Sequence, residues 1–522
     1  MRRNRMSACL LALLATAAVT ACGSTVQSAG PGTTSLGAGG VPGGDGLGAP
    51  RAVDGSAPLA AGDPAAPTTA GGAVVPGGSA TSGGTAAGPG APGAGAGGAG
   101  APAAGPAAAS IPETGPGWDK STVYIGVATQ KDVQQAFETV GVNGLNAGDQ
   151  EGTAKAVAAE LNRRGGLFGR KVQIVFRDHA TIATAQDPSS TAQATCTYFT
   201  QDRPVIAFLN PVTLMDGAAL RSCFAKARVP LLSASVASLD QKAAQAYAPY
   251  LITSVAPTWD PFAAVLVSRL KAQGYFGGWN ASTGEAVPGT AKVGILIKTD
   301  EISSRIVDLL RKRVEAAGAP GVEVYSFKEG AEMSSAVLQF RGRGVTHVIS
   351  TDGALLGFML AAEDQGYRPR YALSSFLTPA ALLEGTAPPR QLIGSIGAGW
   401  SPSVDVTDAR DPGDTGPGET ECKAILKKGG QTFEGKRLAE AVGYAFCDGL
   451  RLIVSSAVAG GGLTGPQVAA GMQSAGPRLQ SSFGFGNGLG QGRFFLPGAV
   501  RDLAYDTRCR CFAYQGKASY PL

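Results

Sequence analysis

The clearest pattern of apolar and polar positions lies between Arg203 and Asp240. Residues 205–209 are a short continuous apolar run, and 210–213 break it with a proline and a hydroxyl. Residues 214–227 carry helical spacing, and 229–232 return to strand character before Ser233 and Ser235. The pattern predicts strand, polar loop, helix, strand, polar loop. Upstream, 122–128 reads as a first strand. Residues 149–162 read as a helix with Ala154, Val157, Ala158 and Leu161 on one face, and Gly165 and Gly166 stand in C-cap position. A strand over 171–176 and a helix over 190–200 complete the series, which is the βαβ pattern of a parallel sheet with right-handed crossovers.

A second series begins after Trp259. It predicts a helix over 261–273, a Gly-rich insertion over 276–290, and a strand over 292–297. Ile302, Ile306, Leu309, Leu310 and Val314 then mark a helix over 301–317. Strands over 322–325, 346–350 and 371–373 alternate with helices over 333–340 and 353–365. The chain then returns through a strand-like run over 392–400, a polar loop over 401–420 and a long helix over 437–458. A Gly-rich stretch and a short β-rich tail follow. Two series of about 130 residues each imply two similar lobes and not one large sheet. In an open parallel α/β sheet ligands bind beyond the carboxyl ends of the strands, so Asn210, Thr213, Ser233 and Ser235 share one rim. Serine at a strand-to-helix turn is also ordinary capping chemistry, and that reading stands beside ligand binding for Ser233 and Ser235.

Composition changes the picture at the front of the 522-residue chain. Arg2, Arg3 and Arg5 precede an apolar run over 8–19 that is too short to span a bilayer and reads as a secretory signal. Val19-Thr20-Ala21-Cys22 resembles the lipobox of bacterial lipoproteins, so Cys22 is the expected lipidation site and residues 1–21 the signal peptide. Residues 22–117 form a tether almost wholly of Gly, Ala, Pro, Ser and Thr. Such a segment buries too little apolar surface to offset ordering entropy; as a flexible coil it would span on the order of 55 Å. The folded part is 118–522. The formal charge is +5, of which the three signal arginines supply 3. No basic stripe follows, so nucleic acid is not an expected partner. No later apolar run approaches the ~20 residues of a membrane helix.

Of eight cysteines, Cys9 lies in the signal and Cys22 in the lipobox; six remain, the arithmetic of three disulfides in an oxidising compartment. Catalytic chemistry finds little support. His179 and His347 are the only histidines, and no Ser-His-Asp order, HExxH, CxxC or P-loop spacing occurs. No metal or cofactor is expected, and the chain does not read as an enzyme.

The residues from Asn162 to Val172 (NRRGGLFGRKV), then Asp178, then the strand-loop-helix-strand around Asn210 and Val229 to Ser235, resemble the type I periplasmic binding proteins. The subgroup is that of the leucine/isoleucine/valine-binding proteins that serve ABC importers, and the resemblance covers essentially all of 118–522. It implies an α/β fold of two Rossmann-like lobes with parallel sheets, joined by three hinge crossings. Lobe 1 is expected to take about 118–256 and 393–460, and lobe 2 about 257–392 and 461–522. The family commonly carries a disulfide linking the helices around the central strand, which implies Cys196–Cys223. Cys422–Cys447 and Cys509–Cys511 are the remaining pairs, with exchange between them open.

In the amino-acid binders the first-lobe loops hold the ligand carboxylate, a role that Asn210, Thr213, Ser233, Ser235 and Ser238 match by position, with Ala237 where threonine is usual. The second lobe normally supplies a tyrosine and an acid for the ammonium group. Those places fall near Ile302 and Ser375 here, with Asp300, Asp352 and Phe376 close by. Trp400 is open between a cleft wall and hinge packing. The implied function is an extracytoplasmic solute-binding lipoprotein on the outer face of the bacterial cytoplasmic membrane. It would be a monomer that captures an amino-acid-like, amide or carboxylate solute for ABC permease subunits; the alternative is a ligand-sensing receptor of the same fold.

Overall fold

The computed structural model describes residues 111–522, apart from 140–145, 329–331, 385–386, 408–414, 434–435 and 491. The signal, Cys22 and most of the tether lie outside the described residues. The first sheet is built from β1 (Thr122–Thr129), β2 (Lys171–Asp178), β3 (Phe208–Asn210), β4 (Leu231–Ser233) and β5 (Leu251–Thr253), all parallel, in the order β2-β1-β3-β4-β5. The hairpin β6 (Gly277–Asn280) and β7 (Glu285–Thr290) stands apart as a two-stranded sheet; this is the region expected only as a Gly-rich insertion. The second sheet contains β8 (Val293–Lys298), β9 (Glu323–Phe327), β10 (His347–Ser350), β11 (Arg370–Ser374), β12 (Ile396–Gly399), β13 (Ala499–Asp506), β14 (Cys511–Tyr514) and β15 (Tyr520–Pro521).

The parallel part of the second sheet runs β9-β8-β10-β11-β12, so both sheets repeat one strand order: second, first, third, fourth, fifth. The tail then adds β13 antiparallel to β12, with β14 and β15 both paired to β13. Continuous burial along the central strands explains the lobes' cores. On β1 every residue from Ile125 to Thr129 is buried, as expected of a strand covered by helices on both faces.

Helix boundaries follow local chemistry. In helix Gln150–Arg163, the Asp149 carboxylate accepts from Gly152 N, and the chain leaves through Gly165 and Gly166 at φ 103° and 68°, a conformation that suits glycine. Among the described helices of ten or more residues, two fall where none was expected, Pro417–Lys428 and Gly465–Ala475. The first occupies the end of the polar loop and the second the Gly-rich stretch. Helix Arg437–Ala459 is long and apolar enough to cross a membrane by composition, contrary to the expectation that no such run exists. It is a core helix: 78% of its most apolar window is buried, and Gly449 lets it approach Leu209 of β3 so closely that a Cβ would meet that side chain at 2.5 Å.

The chain passes between the sheets three times, and the crossings lie side by side. Trp400 Nε1 donates to Val255 O at 2.8 Å, Phe485 N to Trp400 O at 2.9 Å and Leu496 N to Thr253 O at 2.9 Å. These contacts correct the expected lobe boundaries. Residues 396–399 pair in the second sheet, not in lobe 1. Helix Gly465–Ala475 packs on Arg437–Ala459, and the buried Asp448 of that helix holds Ser481 and Ser482, so this stretch belongs with lobe 1 and not lobe 2. Trp400 is fully buried in an aromatic cluster with Phe262 and Phe376, which makes it packing at the crossings. The sulfurs of Cys196 and Cys223, Cys422 and Cys447, and Cys509 and Cys511 are bonded in pairs.

Candidate functional site

A strand order of second, first, third places the reversal of chain direction between the first and third strands, and there the loops at the carboxyl ends splay apart to leave a crevice. Both lobes present that crevice to one another. Gln130 after β1, Pro211 to Thr213 after β3, Lys298 after β8 and Thr351 to Ala354 after β10 all line one cavity of ≈1070 Å³. Further walls come from the loops after β4 and β11 and from several helices, among them Val133–Glu138, Ala218–Ala227, Glu301–Ala316, Leu355–Asp364 and Arg437–Ala459.

The nine residues expected at the site divide into two sets. Thr213, Ser238, Asp300, Asp352 and Phe376 line the cavity. Thr213 is exposed at the start of a short 3-10 turn. Ser238 Oγ donates to Thr351 O at 3.1 Å and accepts from Trp259 Nε1 at 3.1 Å, which ties the lobes together on the cavity floor. Asp300 caps the helix that follows, accepting from Ser303 N at 2.8 Å and from Ser303 Oγ at 2.9 Å. Asp352 accepts from Ala354 N at 2.9 Å and Lys298 N at 3.3 Å, and burial pushes its carboxyl above the usual range. Phe376 stacks on Trp259 with ring centroids 4.7 Å apart and presents its other side to the cavity.

Asn210, Ser233, Ser235 and Ser375 are not brought to the cavity, because each is engaged inside the protein. Asn210 closes on its own loop, accepting from Val212 N at 3.1 Å. Ser233 donates to Asp216 Oδ2, and Ser235 donates to the same oxygen at 2.6 Å. Ser375 Oγ donates to Asp405 Oδ2 at 2.8 Å and accepts from Trp400 N at 2.8 Å.

The organising group of the first-lobe rim is therefore Asp216, which sequence reasoning missed. Its side chain is fully buried, and it accepts both serine hydroxyls and Arg221 Nε at 2.9 Å; Arg221 Nη2 donates to Asp216 O at 2.9 Å. Arg221 is 4% exposed and lines the cavity. A charged pair five residues apart inside an otherwise apolar helix start was the available signal, since such groups are seldom fully buried unless paired. A second missed pair spans the lobes. Arg305 Nε donates to Asp240 Oδ2 and its Nη2 to Asp240 Oδ1 at 3.0 Å. Burial pushes the Asp240 carboxyl up, but the hydrogen bonds from Arg305 and Ala243 N outweigh it and hold the group below its usual value.

Neither histidine lines the cavity. Burial lowers His179 to about 4 and His347 to about 3, so both are neutral core groups at physiological pH. Among the described residues no cluster of three or more His, Cys, Asp or Glu side chains could hold a metal ion.

Two lobes of one strand order, three adjacent crossings and a cavity at the facing switch points define a type I periplasmic binding protein fold. Residues 133–492 match the family described as periplasmic binding protein, and the chain belongs to that family, which implies an extracytoplasmic location. Several solved structures share the fold. A fatty acid ABC transporter substrate-binding protein from Thermomonospora curvata is 16% identical with a TM-score of 0.54, over 78% of this chain and 94% of that one. A branched chain amino acid ABC transporter protein from Thermus thermophilus with bound valine is 15% identical with a TM-score of 0.53, over 77% and 96%. A solute binding protein from R. palustris in complex with 4-hydroxybenzoate is also 15% identical with a TM-score of 0.53, over 77% and 97%. No curated protein matches the sequence.

Proposed function

We propose that the protein is the solute-binding component of an ABC importer, which captures a small amino-acid-like, amide or carboxylate solute between its lobes and presents the closed form to the permease. The observation that carries this reading is the ≈1070 Å³ cavity framed by the switch points of both sheets. Closure about the three crossings would exclude water from the solute and strengthen its hydrogen bonds, and a solute that touches both lobes shifts the population toward the closed form. Three features support a working place outside the membrane: the signal-like start, Cys22 as a lipid anchor, and the paired cysteines suited to an oxidising compartment. The tether up to residue 117 would let an anchored monomer reach solutes and permease from one lipid. The protein performs no chemistry on its solute in this reading.

The test is a thermal-shift screen of amino acids, amides and carboxylates on the purified protein, followed by uptake measurements in cells lacking it. A bound solute raises apparent stability by mass action, and its uptake is expected to fall in the deletion strain. A hit whose uptake is unchanged would point to sensing, and turnover of a hit by the protein would end the non-enzymatic reading.

A further inference from the structure

The cavity's chemistry goes further than its position, and the inference drawn from it rests on the solute-capture reading above. At ≈1070 Å³ the space sits at the top of the roughly 300–1,000 Å³ range of small-molecule sites. Its wall presents Val133, Leu214, Val236, Leu356, Phe376 and Val442. Most of the polar groups that would read a compact amino acid are spent elsewhere, and Thr213 alone of the first-lobe set is exposed on the cavity. Ser233 and Ser235 donate to Asp216, Asn210 closes its own loop and Ser375 serves Asp405. Of the cavity's carboxylates, Asp216 and Asp352 are engaged inward, while Asp300 and Glu301 stand at its exposed edge. Asp216 serves Arg221, Asp300 caps Ser303, Glu301 pairs with Arg305, and Asp352 accepts from backbone N–H groups. Each already has a protein partner, so none offers an ammonium group an unpaired carboxylate shielded from water.

One place in the wall is built for an oxyanion. Helix Ala218–Ala227 begins at Gly217 with no side-chain cap, and Ala218 and Ala219 of its first turn line the cavity. The N–H groups of an uncapped first turn attract negative charge. Arg221, the fourth residue of the same helix, is more than nine-tenths buried. Its Nε and Nη2 are fixed by Asp216, and its Nη1 has no protein acceptor among the described residues. Lys242 from lobe 1 and Lys298 from lobe 2 also line the cavity and form no ion pair among the described residues.

We propose that the cleft takes a bulky hydrophobic carboxylate, a medium-chain alkanoate. Its oxyanion sits at the start of helix Ala218–Ala227 beside Arg221, and its apolar body fills the space between the lobes.

Titration of the full-length protein with hexanoate, octanoate, decanoate and dodecanoate, followed by tryptophan fluorescence and calorimetry, tests this. Each added methylene should tighten binding about fourfold until the cavity is full. Decanol should bind at least about tenfold more weakly than decanoate, as expected on losing a charge-assisted hydrogen bond. Leu356→Gln, at a half-buried wall position, should weaken decanoate more than hexanoate. Arg221→Gln combined with Asp216→Asn, which removes both charges of the pair together, should weaken decanoate at least about tenfold and leave decanol within about twofold. An affinity independent of chain length, or equal binding of decanol and decanoate, would overturn the proposal. Tight binding of leucine or an amide without any alkanoate would overturn it too, and would leave solute capture standing. If no alkanoate, amino acid or amide binds at all, solute capture itself fails.

Discussion

The hydroxyl of Tyr514 donates a 2.6 Å hydrogen bond to Asp405 Oδ2, joining the last part of the second sheet to the segment that leaves it after β12. The same oxygen accepts from Ser375 Oγ at 2.8 Å and from Ser401 N at 3.0 Å, and Asp405 Oδ1 is buried without a partner among the described residues. Gly399 makes the approach possible, since a Cβ there would meet Asp405 Oδ2 at 2.1 Å. Burial pushes the Asp405 carboxyl up to about 7, with hydrogen bonds from Tyr514 and Ser375 opposing it.

That shift fixes a pH dependence. Between pH ~4 and ~7 the folded protein holds a proton that the unfolded chain has released, so the contribution of Asp405 is fully present below pH ~4 and is lost as pH rises through ~7, by up to about 1.4 kcal/mol per unit. Asp405→Asn keeps the one acceptor that all three donors use and removes the titration. Urea unfolding at intervals from pH 5 to 8 should show stability of the variant rising relative to wild type as pH increases. Parallel profiles would show that Asp405 is not the titrating group.

The division of the serines from the cavity predicts a separation of stability from binding. Ser235→Ala removes one donor to Asp216 and should cost about 1 kcal/mol of stability while leaving solute affinity within about twofold. Thr213→Val keeps the shape of an exposed cavity residue and should leave stability unchanged while altering affinity. Calorimetry and thermal melts on both variants check this; a large affinity loss in Ser235→Ala would put that hydroxyl back in the site.

Arg305 and Asp240 bridge the lobes with side chains 27% and 7% exposed. The exposure of Arg305 holds the expected stability loss in Arg305→Ala to about 1 kcal/mol. The larger expected effect is on shape, with a greater radius of gyration by small-angle scattering and weaker solute binding. An unchanged radius in the variant would mean that other contacts, such as Ser238 with Thr351, set the spacing of the lobes.

Asp448 is fully buried and accepts from Ser481 Oγ at 2.7 Å, Ser482 N at 2.9 Å, Ser482 Oγ at 2.7 Å and Phe483 N at 3.1 Å. Asp448→Ala leaves those donors unpaired beside the crossing at 484–498, and should cost about 3 kcal/mol or more. Thermal unfolding measures it; a change below about 1 kcal/mol would mean that the 480–484 loop finds other acceptors.

The fold was legible where the apolar period was long. The helix carrying Ile306, Leu310 and Val314 and the strands of both series lie within a few residues of their predicted places. The short strand β3 was harder. Residues 205–207 are apolar, yet only Phe208–Asn210 form the strand proper, while Ile206 N still bonds to Tyr124 O at 3.0 Å. Helix Pro417–Lys428 hid because the apolar side chains of its buried face are only Cys422, Ile425 and Leu426 amid charges. Helix Gly465–Ala475 did carry a signal, Thr464 with Gln467 as a capping box, which its glycines masked. At the site, sequence position located the rim but not the direction in which each hydroxyl points. That depended on Asp216, whose role exists only once its loop folds back beneath β4 to meet Ser233 and Ser235.

The placement of β13 sets an order on assembly. The first sheet is complete from residues 122–253, a continuous piece of chain, whereas β12 gains its second neighbour only from Ala499–Asp506 near the very end. Lobe 2 must wait for residues 499–506 to emerge before its sheet can close. A chain ending at Gly498 would leave β12 with an unpaired row of N–H and C=O groups, and should elute as aggregates in size-exclusion chromatography where the full chain elutes as a single species. The segment 499–521 thus behaves as a clasp, and a load applied to Tyr520–Pro521 would pull on the strand that fastens the second lobe.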